Sequence, residues 1–119
     1  MMEANAVGKI GVEVRRAYLA GLIDGDGCIM ASIEPHSEKK FGFRVRVGIK
    51  ITQKERELLE DLVREYGIGN VRCNKRKEIG RSTYDWLIRD KTDAIWILNY
   101  IKPYSRLKQK QIASALKIL

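Results

Sequence analysis

A chain of 119 residues suits a single domain, and with 45% apolar and 32% charged residues it has the composition of a folded, water-facing protein rather than a disordered tail. Two cysteines (Cys28, Cys73) and one histidine (His36) exclude a disulfide scaffold and a Cys/His zinc site. The longest apolar run, Ala17 to Ile23, is far short of the roughly 20 residues that span a bilayer, and no signal-like segment is expected. What remains is a net charge of +8, concentrated late in the chain: residues 1–60 carry 10 basic and 9 acidic groups, residues 61–119 carry 13 and 6. Such a balance points to a polyanionic partner, most often nucleic acid.

Residues 1–12 show no periodicity and are expected to form a loose arm. Arg15 to Asp24 predicts a helix, apolar on nearly every side between Ala17 and Ile23. Two runs with period two follow. Ile29, Ala31 and Ile33 oppose Met30, Ser32 and Glu34; after a turn from Pro35 to Lys40, Phe43, Val45, Val47, Ile49 and Ile51 oppose Arg44, Arg46, Gly48, Lys50 and Thr52. Thr52 and Glu55 have the spacing of a capping box for a second helix. Its stripe is Leu58, Leu59, Leu62, Val63 and Tyr66, and Gly67 is its left-handed stop. Val71 and Cys73 oppose Arg72 and Asn74; beyond a basic turn from Lys75 to Arg81, Tyr84, Trp86 and Ile88 oppose Asp85 and Leu87. A helix from about Thr92 to Ile101 stops before Pro103, and a last helix runs from about Ser105. The order helix-strand-strand-helix-strand-strand-helix-helix implies an α+β fold of one domain over residues 1–119, with a four-stranded antiparallel sheet carrying its helices on one face.

The opposite face of that sheet would present Ser32, Glu34, Arg44, Arg46, Lys50, Arg72, Asn74 and Asp85, with Arg76 in the adjoining basic turn. These are side chains that read base edges: Arg takes guanine, Asn takes adenine, and carboxylates accept from cytosine. An ordinary solvated sheet face is the competing account.

The first helix ends Leu19-Ala20-Gly21-Leu22-Ile23-Asp24-Gly25-Asp26-Gly27. Its all-round apolar surface implies burial all round, which packing against a second copy of the same helix would supply. Leu19, Ala20, Gly21, Ile23 and Asp24 are the residues expected at that dimer contact, with the small side chains of Ala20 and Gly21 permitting close backbone approach. Asp24 and Asp26 stand at the helix C-terminus, where the macrodipole disfavours negative charge. Carboxylates converging there suit a hard cation such as Mg²⁺, although an Asp-Gly turn closing a helix is the commoner use of such residues.

This nonapeptide resembles the signature of the LAGLIDADG homing endonucleases, departing from that consensus at Gly25 alone. The resemblance continues through Ile51-Thr52-Gln53-Lys54, Ile101-Lys102-Pro103 and Leu107-Lys108-Gln109-Lys110-Gln111, covering about residues 15–119. With one copy of the signature, it is to the homodimeric branch encoded in group I introns, as in algal chloroplasts. It implies a Mg²⁺-dependent double-strand DNA endonuclease acting on a long, roughly palindromic site and leaving 3′ overhangs. By position it implies Asp26 as the metal-binding acid with the Gly25 carbonyl, Gln53 ordering water, and Lys108 stabilising charge at the phosphate. Asp24 would support the helix end. The active-site arginine of relatives falls on Glu57 here, with Arg56 one place earlier, and longer relatives carry further C-terminal helices. The expected partners are duplex DNA and a second copy, with no membrane or small-molecule substrate. The expected location is a prokaryotic cytoplasm or an organelle. An intron RNA maturase or a non-cleaving regulator of the same fold is the alternative.

Overall fold

A computed structural model of the chain describes residues 4–35, 37, 42–75, 80 and 82–119, with side chains from residue 11 onward. In chain order the elements are α1 (Ala4–Asp26), β1 (Gly27–Pro35), β2 (Phe43–Gln53), α2 (Arg56–Tyr66), β3 (Asn70–Asn74), β4 (Thr83–Ile88), α3 (Lys91–Ile101) and α4 (Gln109–Ile118). The expected order and class hold. The strands pair antiparallel as β1-β2-β4-β3, with Ala31 opposite Val47, Ile51 opposite Trp86 and Val71 opposite Trp86.

This register gathers the apolar alternates on one face, because residues paired across a ladder share a side of the sheet. Val47, Ile49, Ile51, Trp86 and Ile88 from the sheet meet Leu19 and Ile23 of α1, Leu59 and Leu62 of α2, Ile97, Leu98 and Ile101 of α3, and Ile112 of α4. All of these are buried, and together they form the two-layer core. The buried Trp86 indole N–H donates to the Ile68 carbonyl at 2.9 Å. Gly69 lets that backbone pass: at its φ of 78° a Cβ would stand 2.6 Å from the Leu87 carbonyl oxygen. Among the described residues no helix is long and apolar enough to cross a membrane.

Three boundaries differ from the sequence reading. The helix expected from Arg15 begins at Ala4, so the stretch expected as a loose arm is largely helical. Apolar periodicity marks a helix that buries a face. Val12, Glu13, Val14 and Arg15 are exposed, and a helix running past the body leaves no such signal. The capping box does not form. Thr52 is a β2 residue paired with Asp85, and its hydroxyl donates to Asp85 Oδ1 at 2.6 Å, so Glu55 precedes α2 without a side-chain cap. Gly67 does close α2 at φ 67°, its N–H bonded to the Val63 carbonyl. The last helix begins at Gln109 rather than Ser105, because residues 105–107 are committed to Asp24 instead.

Candidate functional site

The C-terminus of α1 runs into β1 without a loop, α1 ending at Asp26 and β1 starting at Gly27. A Cβ on Gly27 would lie 2.7 Å from the Ile23 carbonyl oxygen, so only glycine fits this junction as it stands. The two carboxylates beside it have different fates. Asp24 is half-buried and fully engaged: Oδ1 accepts from the Ser105 hydroxyl at 2.5 Å, and Oδ2 from the Arg106 and Leu107 N–H groups at 2.7 and 3.2 Å. Burial pushes its pKa up, but those hydrogen bonds and the Lys108 charge outweigh burial and hold it below the usual value. Asp24 therefore clamps α1 to the α3–α4 turn. The carboxylate expected at the dimer contact thus makes three hydrogen bonds within its own chain.

Asp26 is exposed. Its Oδ2 accepts from the Gln53 side-chain amide at 2.5 Å, joining the end of α1 to the end of β2. Gly25 is exposed beside it, in a helix turn whose last carbonyls lack helical partners. Lys108 stands at the N-terminal edge of α4, its N–H donating to the Ser105 hydroxyl at 3.3 Å. A short chain of contacts thus sets Lys108 from Asp24 through Ser105. Arg56 turns along its own helix, bonding Glu60 Oε1 at 2.8 Å and lying 5.5 Å from the Tyr84 ring centroid. The Glu60 hydrogen bond raises its pKa. Glu57 is exposed.

Among the described residues no three His, Cys, Asp or Glu side chains converge on one point. Asp26 offers one exposed carboxylate with a carbonyl donor next to it. That donor set fits Mg²⁺, which is held by one or two carboxylates with the remaining oxygens from substrate phosphate and water.

The polar sheet face is built as the alternation predicts. Ser32 pairs with Arg46, Glu34 with Arg44, Arg72 with Asp85 and Asn74 with Thr83, all on the side away from the helices. Glu34 is a hub: Arg44 at 3.2 Å, Arg46 at 3.6 Å and Arg89 at 3.2 Å all reach its carboxylate. The sequence reading missed Arg89, although it continues the parity of Asp85 and Leu87 one step past the end of β4. Asp85 needs the opposite correction. Expected as a base-reading carboxylate, it is 1% exposed, lying beneath Thr52 and under Arg72, whose guanidinium reaches Oδ2 at 3.3 Å. Burial alone would raise its pKa; hydrogen bonds from Thr52, Asn74 and Arg72 and the Lys50 charge bring it below the usual value. It orients Arg72 rather than meeting a ligand. Arg76 lies outside the described residues.

Of the residues expected at a dimer contact, Gly21 is exposed and the three apolar ones are not. Leu19, Ala20 and Ile23 are each 0% exposed and belong to this chain's own core. Tyr18, Gly21 and Gly25 are exposed, and a Cβ on Gly21 would meet nothing within 4 Å. The open surface of α1 is this second face, with Ala17 and Val14 continuing it.

The profile of a family described as LAGLIDADG endonuclease matches residues 19–116. The chain is 36% identical over 104 residues to the DNA endonuclease I-CreI of Chlamydomonas reinhardtii, covering 86% of this chain and 60% of that protein. It is 31% identical over 109 residues to the DNA endonuclease I-CvuI of Chlorella vulgaris, covering 90% and 65%. The chain thus spans under two thirds of the length of these curated relatives. Its fold superimposes with a TM-score of 0.78 on the crystal structure of the homing endonuclease I-CvuI in complex with its target in the presence of Ca, at 28% identity and covering 91% of this chain and 67% of that one.

Proposed function

The chain belongs to the LAGLIDADG endonuclease family, and from that premise we propose that it is a site-specific double-strand DNA endonuclease acting as a homodimer. The carrying observation is the placement of Asp26: an exposed carboxylate held by Gln53 at the junction of α1 with a cationic four-stranded sheet.

In this reading the sheet face of each subunit lies in the major groove of one half-site, with Arg44, Arg46, Lys50, Arg72, Arg89 and Asn74 toward the DNA. Asp26 and the Gly25 carbonyl hold a divalent cation, taken to be Mg²⁺. Bound there, it would stabilise charge on the phosphate oxygens and make a water more acidic. Gln53 fixes the carboxylate's direction and offers its remaining polar atoms to water. Lys108 places positive charge at the phosphate, its backbone anchored through Ser105 to Asp24. The open face of α1, with Tyr18, Gly21 and Gly25, packs against its copy, bringing two Asp26 residues to one axis and giving one nick per strand. The two phosphates so reached face each other across the minor groove, which is about 6 Å wide against about 12 Å for the major groove. Their stagger there yields short 3′ overhangs. The cut site is long and only roughly palindromic, in the genome of an organelle or a prokaryote.

A second reading, a non-cleaving DNA regulator or intron RNA maturase of the same fold, is favoured by one observation: Glu57 stands where relatives place an arginine, and Arg56 is held by Glu60. The deciding experiment selects sites from a plasmid library of randomised half-sites and assays them with Mg²⁺ and with EDTA. Linear product with 3′ overhangs in Mg²⁺ alone establishes the endonuclease. Specific binding without cleavage in any divalent metal establishes the alternative.

A further inference from the structure

The polar face of the sheet has an apolar bowl at its centre. Met30 and Gly48 are paired across β1 and β2, and Leu87 of β4 is paired with Lys50, the next residue on that face of β2. Together these three form the floor of a depression of about 200 Å³, with Arg46, Lys50, Arg72 and Arg89 in its wall. Elsewhere this face is almost wholly hydrogen-bonding, so half-buried Met30 and Leu87 stand apart from the pattern that surrounds them. Glycine at 48 deepens the floor: a Cβ there would stand 3.5 Å from the Met30 terminal methyl, 3.6 Å from the Ile88 carbonyl oxygen and 4.0 Å from Arg89 Cγ.

The volume falls below the roughly 300–1,000 Å³ of small-molecule sites, and four cations in the wall mark an anionic polymer as the occupant. On the major-groove edge of duplex DNA the thymine C5-methyl is the one apolar group. Two arginines of the wall are aimed in advance: Arg72 by buried Asp85, and Arg46 by Glu34, which also holds Arg89. Oriented guanidinium forks suit guanine O6 and N7.

We propose that the bowl formed by Met30, Gly48 and Leu87 is a methyl-reading subsite, seating a thymine in the middle of each half-site with guanine next to it under the flanking arginines. This rests on the reading of the sheet as a DNA-binding face, and it assigns to a glycine the choice of base at one position. Other face residues discriminate by hydrogen bonds; this subsite discriminates by a single methyl group.

The test uses the full chain and duplexes selected from a randomised half-site library. The selected sites carry one constant thymine per half-site, and replacing it in one half-site with deoxyuridine, which removes only the methyl, weakens binding about four-fold, the worth of one buried methyl group. Cytosine at that position binds weakly and 5-methylcytosine recovers part of the loss. Gly48→Ala, whose added methyl makes only ordinary contacts, melts as the parent does and binds thymine and uracil duplexes alike. Leu87→Thr narrows the same ratio and serves as the second variant. Selected sites bound and cleaved with no uracil-sensitive position overturn the bowl and leave the endonuclease reading intact. Failure to select any preferred duplex overturns both.

Discussion

Asp24 and Ser105, 81 positions apart, are joined by a 2.5 Å hydrogen bond that ties the C-terminal end of α1 to the turn before α4. The same carboxylate receives the Arg106 and Leu107 N–H groups, so one side chain fixes where Lys108 begins its helix.

Stability should therefore fall in acid. Hydrogen bonds and neighbouring positive charge hold the folded-state pKa values of Asp24 and Asp85 below the ordinary carboxylate value. Their contribution is fully present above that value and is lost as the pH falls through the lower folded values. Thermal melting followed from pH 6 to pH 2 should steepen in its decline below pH 4. Asp24→Asn should cost about 1.5–3 kcal/mol at neutral pH, the range for hydrogen bonds to a charged group, and flatten the acid limb. An unchanged acid limb in that variant would contradict the clamp.

Removing the charge of Asp26 should separate cutting from binding. Asp26→Asn keeps the side chain's shape and an oxygen for Gln53, but takes away the anion that holds the cation. Cleavage should drop at least 10³-fold, about 4 kcal/mol on the barrier, with specific affinity retained or improved because a negative charge beside phosphate is gone. Stripping divalent metal from the wild type should give the same split. Gel-shift and plasmid-cleavage assays on one preparation read both, and full activity in the variant would sink the assignment.

The two faces of α1 should respond differently. Gly21→Leu adds bulk to the open face, and overpacking at a contact costs about 1–3 kcal/mol per site. The expected result is a folded monomer by sedimentation. Leu19→Ala cuts a cavity into the chain's own core, at about 2–5 kcal/mol, and should lower the melting temperature instead. A wild type that sediments only as monomer at micromolar concentration would remove the dimer.

Glu34 should restrain non-specific binding. Converting it to Gln frees three arginines from their shared anion, so affinity for random duplex should rise at low salt. The slope of log K against log salt should steepen by roughly one. The ratio of specific to random affinity should fall, since the guanidiniums lose the partner that aims them. Arg72→Ala should instead cost about 1–3 kcal/mol of discrimination at the base pair it reads. Equal slopes for Glu34→Gln and wild type would show that the hub stays closed on DNA.

The sheet was legible because alternation carries two facts at once, the strand and its buried side; Val47, Ile49 and Ile51 needed no structure to be placed. The helix ends were not, since they are decided by distant partners. Thr52 has the spacing of a cap, yet the Asp85 carboxylate that captures its hydroxyl lies 33 residues away. Nor does an all-round apolar helix show which side it turns inward: buried Leu19 and Ile23 look no different in sequence from exposed Ala17 and Tyr18. Asp85 matched the chemistry of a base reader, and only the placement of Arg72 over it reveals that it lies too deep. Arg89 was within reach, for the parity that ran through Asp85 and Leu87 extends to it.

The passage of α1 into β1 at Gly27 has a mechanical consequence. With no linker between them, the helix and the first strand meet in one stiff joint, and Asp26 is the residue at it. On the proposed function, a shift of the sheet on duplex DNA would carry over to that carboxylate through this joint and through its hydrogen bond from Gln53 of β2. On that function, a duplex bent to the wrong curvature would move Asp26 off its phosphate even where every base edge is matched, and stiffness of the target would become a criterion for cutting.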